Sequence, residues 1–180
     1  MEEKELVRLC QQGNSRGHEA VYQLYADRLF RLSQRYIRDQ ADAEDVLMTA
    51  FVKAFKNINT FSYRDAGSLE GWMRKIVVNE ALMWLRRKHN FNLAENIDDQ
   101  VHEPDLTAFS SLEADDIMQF IAQLPTGYRT VFNLSVIEGY DHSEIASLLS
   151  INEATSRSQL FKAKSLLRKM LMREGYHYGT

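Results

Sequence analysis

A chain of 180 residues, 44% of them apolar, can bury one or two small cores, and two prolines with eight glycines leave room for helices nearly throughout. The single cysteine, Cys10, excludes an internal disulfide and a multi-cysteine zinc site, and no apolar run approaches a membrane span. The net charge of −3 is unevenly divided: residues 1–88 hold fifteen Lys and Arg against twelve Asp and Glu, residues 89–115 hold seven acids and no Lys or Arg, and residues 116–180 hold seven against six. For nucleic-acid binding this local distribution decides, not the sum.

The first residues, MEEKELVRLC, are charged and carry no apolar run, which predicts no secretory signal and, with the lone cysteine, a reducing, cytoplasmic setting. Residues 2–12 predict a short amphipathic helix ended by Gly13-Asn14. Residues 18–38 predict a longer one, with Val21, Leu24, Tyr25, Leu29, Leu32, Tyr36 and Ile37 at helical spacing and Arg28, Arg31, Arg35 and Arg38 on the solvated face. After a break at residues 39–42, a third helix begins at Asp42-Ala43-Glu44-Asp45, where acids complement the helix dipole. No histidine or further carboxylate joins that triplet at metal-ligand spacing. Val46, Met48, Ala50, Phe51, Ala54, Phe55 and Ile58 then offer more apolar surface than one buried stripe needs, which suggests Met48, Phe51 and Phe55 as partner-facing.

Residues 57–68, NINTFSYRDAGS, are a polar loop in which Tyr63 and Arg64 supply a ring and a cation, the pairing that suits bases lifted from a duplex. Phe61 is expected to fold back on the core. Residues 69–88 form a strong helix with Trp72, Ile76, Val77, Ala81, Leu82 and Leu85 on one side and Arg74, Lys75, Asn79, Arg86, Arg87 and Lys88 on the other. Residues 89–111, acidic and weakly periodic, read as a linker.

Residues 116–123 predict a short helix. Pro125 stands at the start of another over residues 128–137, which Gly139 stops. Asp141 or Ser143 can cap the next helix, Glu144 completing a capping box, and Ile145, Leu148 and Leu149 form its stripe. Ser150-Ile151-Asn152 is a turn, with small Ala146 where two helices cross closely. A helix over residues 153–173 then carries Arg157, Lys162, Lys164, Arg168, Lys169 and Arg173 against Glu153 alone. This is the layout of a helix-turn-helix, although an ordinary helical hairpin with a basic face shares it. His142-Ser143-Glu144 contains nucleophile and base types, but neighbours on one helix diverge and cannot form a triad. No Gly-rich phosphate loop is present, so an enzyme is not expected.

The runs FRLSQRYIRDQADAEDVLMTAFVKAFKNINTF and GSLEGWMRKIVVNEALMWLRRK together resemble the second conserved region of extracytoplasmic-function (ECF) sigma factors of the sigma-70 family. The run IAQLPTGYRTVFNLSVIEGYDHSEIASLLSINEATSRSQLFKAKSLLRKML is similar to their fourth region. The resemblance implies an all-α chain of two small helical domains, a region 2-like bundle over residues 1–88 and a region 4-like helix-turn-helix over residues 113–180, joined by an acidic linker over residues 89–112. It implies a bacterial initiation factor that binds RNA polymerase core at the large-subunit clamp and flap, melts the −10 element and reads the −35 element of promoter DNA. It also implies restraint by an anti-sigma factor, and no cofactor or membrane insertion.

The residue map follows from the same resemblance. Asp42, Asp45, Met48, Phe51 and Phe55 fall in the helix that docks on the clamp. Tyr63, Arg64, Trp72, Arg74, Lys75 and Asn79 fall where the −10 strand is captured, although Trp72 also suits the core. Thr155, Ser156, Arg157, Gln159, Phe161 and Lys162 fall on the −35 helix. Arg157 or Gln159 can reach base edges, while Lys162, Lys164 and Arg168 suit phosphates. The family usually has Gly where Ser150 stands, often Gly at Ala154, and a branched apolar residue where Ser156 stands. The acidic linker, through Asp98, Asp99, Glu103 and Asp105, would imitate nucleic-acid charge on the RNA path. The rival is a two-domain DNA-binding regulator that never touches polymerase, which leaves residues 18–88 without a purpose. Core binding separates the two.

Overall fold

The computed structural model describes residues 2–91 and 114–174. All regular structure among them is helical, and the chain divides into two compact units, Met1–Arg87 and Lys88–Thr180. Most of the acidic linker, residues 92–112, lies outside the described residues, as do the four carboxylates placed on the RNA path.

The first unit contains α1 (Glu3–Gln11), α2 (Ser15–Tyr36), α3 (Gln40–Asn57), a 3₁₀ turn at Ile58–Thr60, and α4 (Ser68–Lys88). Side chains that satisfy orphan N–H groups set the helix starts: Asn14 accepts from Arg16 N and Asp39 from Asp42 N. These caps start α2 and α3 three and two residues earlier than apolar periodicity indicates. Leu6, Val7 and Cys10 of α1, Val21, Tyr25, Leu29, Leu32 and Tyr36 of α2, and Val46, Leu47, Ala50 and Ala54 of α3 are all buried. On α4 the buried side is Leu69, Met73, Val77, Val78, Ala81, Leu82 and Leu85. Trp72 and Ile76, assigned to that side by sequence, are only half-buried at its edge. Gly17 lets α1 lie against α2, because a Cβ there would stand 2.7 Å from Leu9 Cβ.

The second unit contains α5 (Ala114–Gln123), α6 (Thr126–Phe132), a π-helical turn at Asn133–Ile137, α7 (His142–Leu149) and α8 (Glu153–Arg173). Sequence periodicity carries one helix through residues 128–137. The last turn instead widens, with Glu138 N donating to Asn133 O, before Gly139 turns at φ +78°. The capping box forms on Asp141: its carboxylate accepts from Glu144 N, and the Glu144 carboxylate accepts from Asp141 N. Asn152 caps α8 through Thr155 N. Ile145 and Leu149 of α7 are buried, as are Leu160, Ala163, Leu167 and Leu171 along one face of α8.

The turn between α7 and α8 places Ser150 at φ 56°, ψ 44°, the only non-glycine residue with positive φ among the described residues. A side chain there crowds its own backbone, a strain that glycine avoids. Ser150→Gly is therefore expected to raise unfolding stability by about 0.5–1 kcal/mol despite the entropy glycine adds to the unfolded chain. A urea midpoint at or below wild type would show that the Ser150 side chain compensates its own strain.

Candidate nucleic-acid interface

In the first unit, the chain leaves the 3₁₀ turn and runs through residues 61–67 into α4, bordering an open cavity of about 500 Å³. Its lining is Thr60, Phe61, Ser62, Arg64, Ser68, Gly71, Trp72 and Lys75. Phe61 is buried and its ring tilts 37° against that of Trp72, with centroids 5.1 Å apart. The buried ring thus holds the half-exposed indole as one wall. Gly71 also borders the cavity, and an added Cβ there would stand in open space. Exposed Arg64 and Lys75 are the charged residues of the lining, and no carboxylate belongs to it. A π-face beside two cations and small hydroxyls suits an unstacked base with its flanking phosphates.

Of the residues placed at this strand by the resemblance, the fold brings Arg64, Trp72 and Lys75 to one cavity. Tyr63, Arg74 and Asn79 do not line it. Asn79 is exposed one turn beyond Lys75 on the same face of α4, while Tyr63 and Arg74 are half-buried. Thr60, Ser62, Ser68 and Gly71 were not singled out by sequence. Their signal was only that small polar residues flank the aromatics.

On α3, Asp45, Met48 and Val52 lie at i, i+3 and i+7 and are exposed, Met48 at 50% and Val52 at 61%. Tyr22 of α2 is also exposed, with its ring centroid 4.9 Å from that of Phe51. Phe51 is a correction: it is 2% exposed and packs into the core, because it falls one residue off the exposed stripe. Phe55 is half-buried with its ring against His18, centroids 4.4 Å apart, and Asp42 is half-buried near the start of α3. Val52, which sequence reading passed over, is the more exposed residue.

In the second unit, Ala154, Arg157 and Ser158 of α8 are exposed, and Thr155, Phe161, Lys162 and Lys164 are half-buried. A second cavity of about 480 Å³ lies among His142, Arg157, Ser158, Leu160, Phe161 and Lys164. Arg157 pairs with Glu153 at 2.7 Å, both exposed, a contact too weak to hold it from a stronger acceptor. Two expectations fail here. Ser156 is fully buried, its Oγ hydrogen-bonded to His142 Nδ1 at 2.8 Å. Gln159 is 5% exposed, and its Nε2 donates to Phe91 O at 2.6 Å. Both fall one and two turns from Ala163 along the buried face of α8, so neither reaches a groove in this conformation. The buried Ser156 hydroxyl is satisfied there by His142.

Comparison with known proteins gives two family matches, "Sigma-70 region 2" over residues 21–91 and "Sigma-70, region 4" over residues 114–167. The sequence is 29% identical over 153 residues to the "ECF RNA polymerase sigma factor SigE" of Mycolicibacterium smegmatis, covering 82% of this chain and 58% of that longer one. It is 26% identical to the "RNA polymerase sigma-H factor" of Pseudomonas aeruginosa, covering 94% of each, and 26% identical to "ECF RNA polymerase sigma factor SigW" of Bacillus subtilis, covering 93% and 96%. A solved structure of CnrH in complex with the cytosolic domain of CnrY shares the fold, with a TM-score of 0.51 at 20% identity, covering 95% of this chain and 97% of that one.

Proposed function

Because the chain belongs to the ECF group of sigma-70 factors, transcription initiation factors rather than enzymes, we propose a division of its surface among three tasks. The cavity at Arg64, Trp72 and Lys75 receives a base of the unpaired −10 strand. The aromatic wall with a cationic rim is the observation that carries this reading. No reactive group is required, since binding to the single strand offsets the cost of unpairing. Asn79 extends the same face toward neighbouring nucleotides, with Tyr63 and Arg74 assigned to the same strand.

The exposed stripe of Asp45, Met48 and Val52, with Tyr22, docks on the polymerase large-subunit clamp, and Phe51 and Phe55 hold it from beneath. Its apolar centre beside an acid fits an interface core next to a polar rim. An anti-sigma protein covering this stripe would compete with polymerase. CnrH, which shares the fold, is a protein solved in complex with the cytosolic domain of CnrY. A factor that acts on polymerase core would act in the cytoplasm. No helix among the described residues is long and apolar enough to cross a membrane.

On α8, Arg157 reads a base edge of the −35 element while Lys162 and Lys164 clamp phosphates, with Thr155 and Phe161 completing the contact surface. Ser156 and Gln159 support the helix from inside. Arg157→Ala is expected to lose about 1–3 kcal/mol of discrimination at one base pair. Lys164→Ala should weaken all sequences alike and shallow the salt dependence by about one unit of slope. Titrating the holoenzyme on duplexes varied at each −35 position, at several salt concentrations, tests both. Equal loss on every sequence for Arg157→Ala would remove it from base reading.

A further inference from the structure

We propose that Glu3 and Gln11, at opposite ends of α1, are positioning residues that hold the strand-capture loop in its binding form. The proposal rests on the reading of the Trp72 cavity as the −10 strand site. The Glu3 carboxylate accepts from Leu69 N at 2.9 Å through Oε1, and from Gly67 N at 2.9 Å and the Tyr25 hydroxyl at 3.1 Å through Oε2. Gln11 Nε2 donates to Phe61 O at 3.0 Å and to Ile58 O at 3.3 Å. One short helix therefore grips the loop where it enters the cavity and where it leaves. The two grips span sequence separations of 50 and 66 residues, so neither is a local turn contact.

The segment between the grips carries the lining residues Phe61, Ser62 and Arg64, and Ser68 and Trp72 follow directly. Within it the hydrogen bonds are few: Ser68 N donates to Asp65 O, and Arg64 N reaches Ser68 Oγ at 3.4 Å. Its geometry is thus imposed from α1. The helix itself is anchored independently, by Leu6, Val7 and Cys10 in the core and by its close approach to Gly17, so it is a rigid reference. Tyr25 is buried. Burial first, and the Glu3 carboxylate next, push its hydroxyl well above the ordinary phenol range, so it remains a donor that orients Glu3. Neither Glu3 nor Gln11 lines the cavity, so their effect on a strand must pass through the loop. When only a fraction of the loops is competent, the apparent affinity falls by that fraction.

The test uses the full chain bound to polymerase core and a fluorescent single-stranded oligonucleotide enriched from a random pool on the wild-type holoenzyme. Glu3→Gln, which removes the second carboxylate acceptor, is expected to weaken oligonucleotide binding about tenfold. Gln11→Ala should weaken it severalfold and the double variant more, with affinity for core unchanged and faster amide exchange confined to residues 61–69. Unchanged oligonucleotide affinity in the double variant would overturn the proposal. Parallel loss of core affinity would overturn it too, because α1 would then be serving the fold in general. The strand reading fails separately, if Trp72→Ala binds the oligonucleotide as tightly as wild type.

Discussion

Replacing Trp72 with alanine is expected to weaken capture of the unpaired −10 strand by roughly 5- to 150-fold, the equivalent of about 1–3 kcal/mol for one stacked base. The indole stands at the edge of the α4 core side, half-exposed, with Phe61 against it and Arg64 and Lys75 on the same cavity. Truncation removes the π-surface without unpacking Met73 or Val77, which carry the buried side of the helix. Core binding and −35 duplex affinity should hold. Permanganate reactivity of thymines near −10, which reports unpaired bases, should fall with open-complex formation. Trp72→Phe should recover much of the activity because a smaller ring still stacks. A Trp72→Ala protein that melts promoters normally would remove the cavity from the mechanism and return Trp72 to the core.

Leu167→Ala should produce the second large effect, a loss of about 2–5 kcal/mol in folding stability. Leu167 is fully buried on the face of α8 that also carries Leu160, Ala163 and Leu171. Deleting its side chain leaves a cavity in a small core that also positions the residues facing DNA. For a domain of this size each kcal/mol shifts the thermal midpoint by about 4–8 °C, so the change is readable by circular dichroism. Affinity for the −35 duplex should fall with the folded fraction. Met172→Ala on the same helix is the control: its side chain is 49% exposed, and substitution there should move stability by less than about 0.5 kcal/mol. Equal effects at the two positions would contradict the packing described for α8.

What the sequence made legible was local. The capping box of Asp141 and Glu144 and the stop at Gly139 each involve residues within a few positions of one another, so spacing points to them. They delivered the helix-turn-helix nearly residue by residue, and the order of the two regions delivered the family. What escaped depends on which neighbour covers a face. Periodicity could not distinguish Phe51 from Val52 as the outward residue of α3, because the excess of apolar positions on that helix allows either. On α4 the chosen stripe matches the buried one at Val77, Ala81, Leu82 and Leu85 but departs from it nearer the helix start, admitting Trp72 and Ile76 and leaving out Met73. Ser156 and Gln159 are polar residues on a reading helix, which made them candidates for DNA. Their burial rests on His142 and on Phe91, partners 14 and 68 residues away. Glu3 was invisible as a loop brace for the same reason, since its partners lie across the fold.

The most direct measurement of the central claim is transcription in vitro with purified polymerase core over a library of random promoters, with and without the protein. Protein-dependent transcripts are expected whose templates share two upstream elements, with use of the nearer one weakened in Trp72→Ala and the farther one altered in Arg157→Ala. A protein that binds DNA but neither binds core nor yields any transcript would contradict that claim, and the helix-turn-helix would then belong to a regulator that works apart from polymerase.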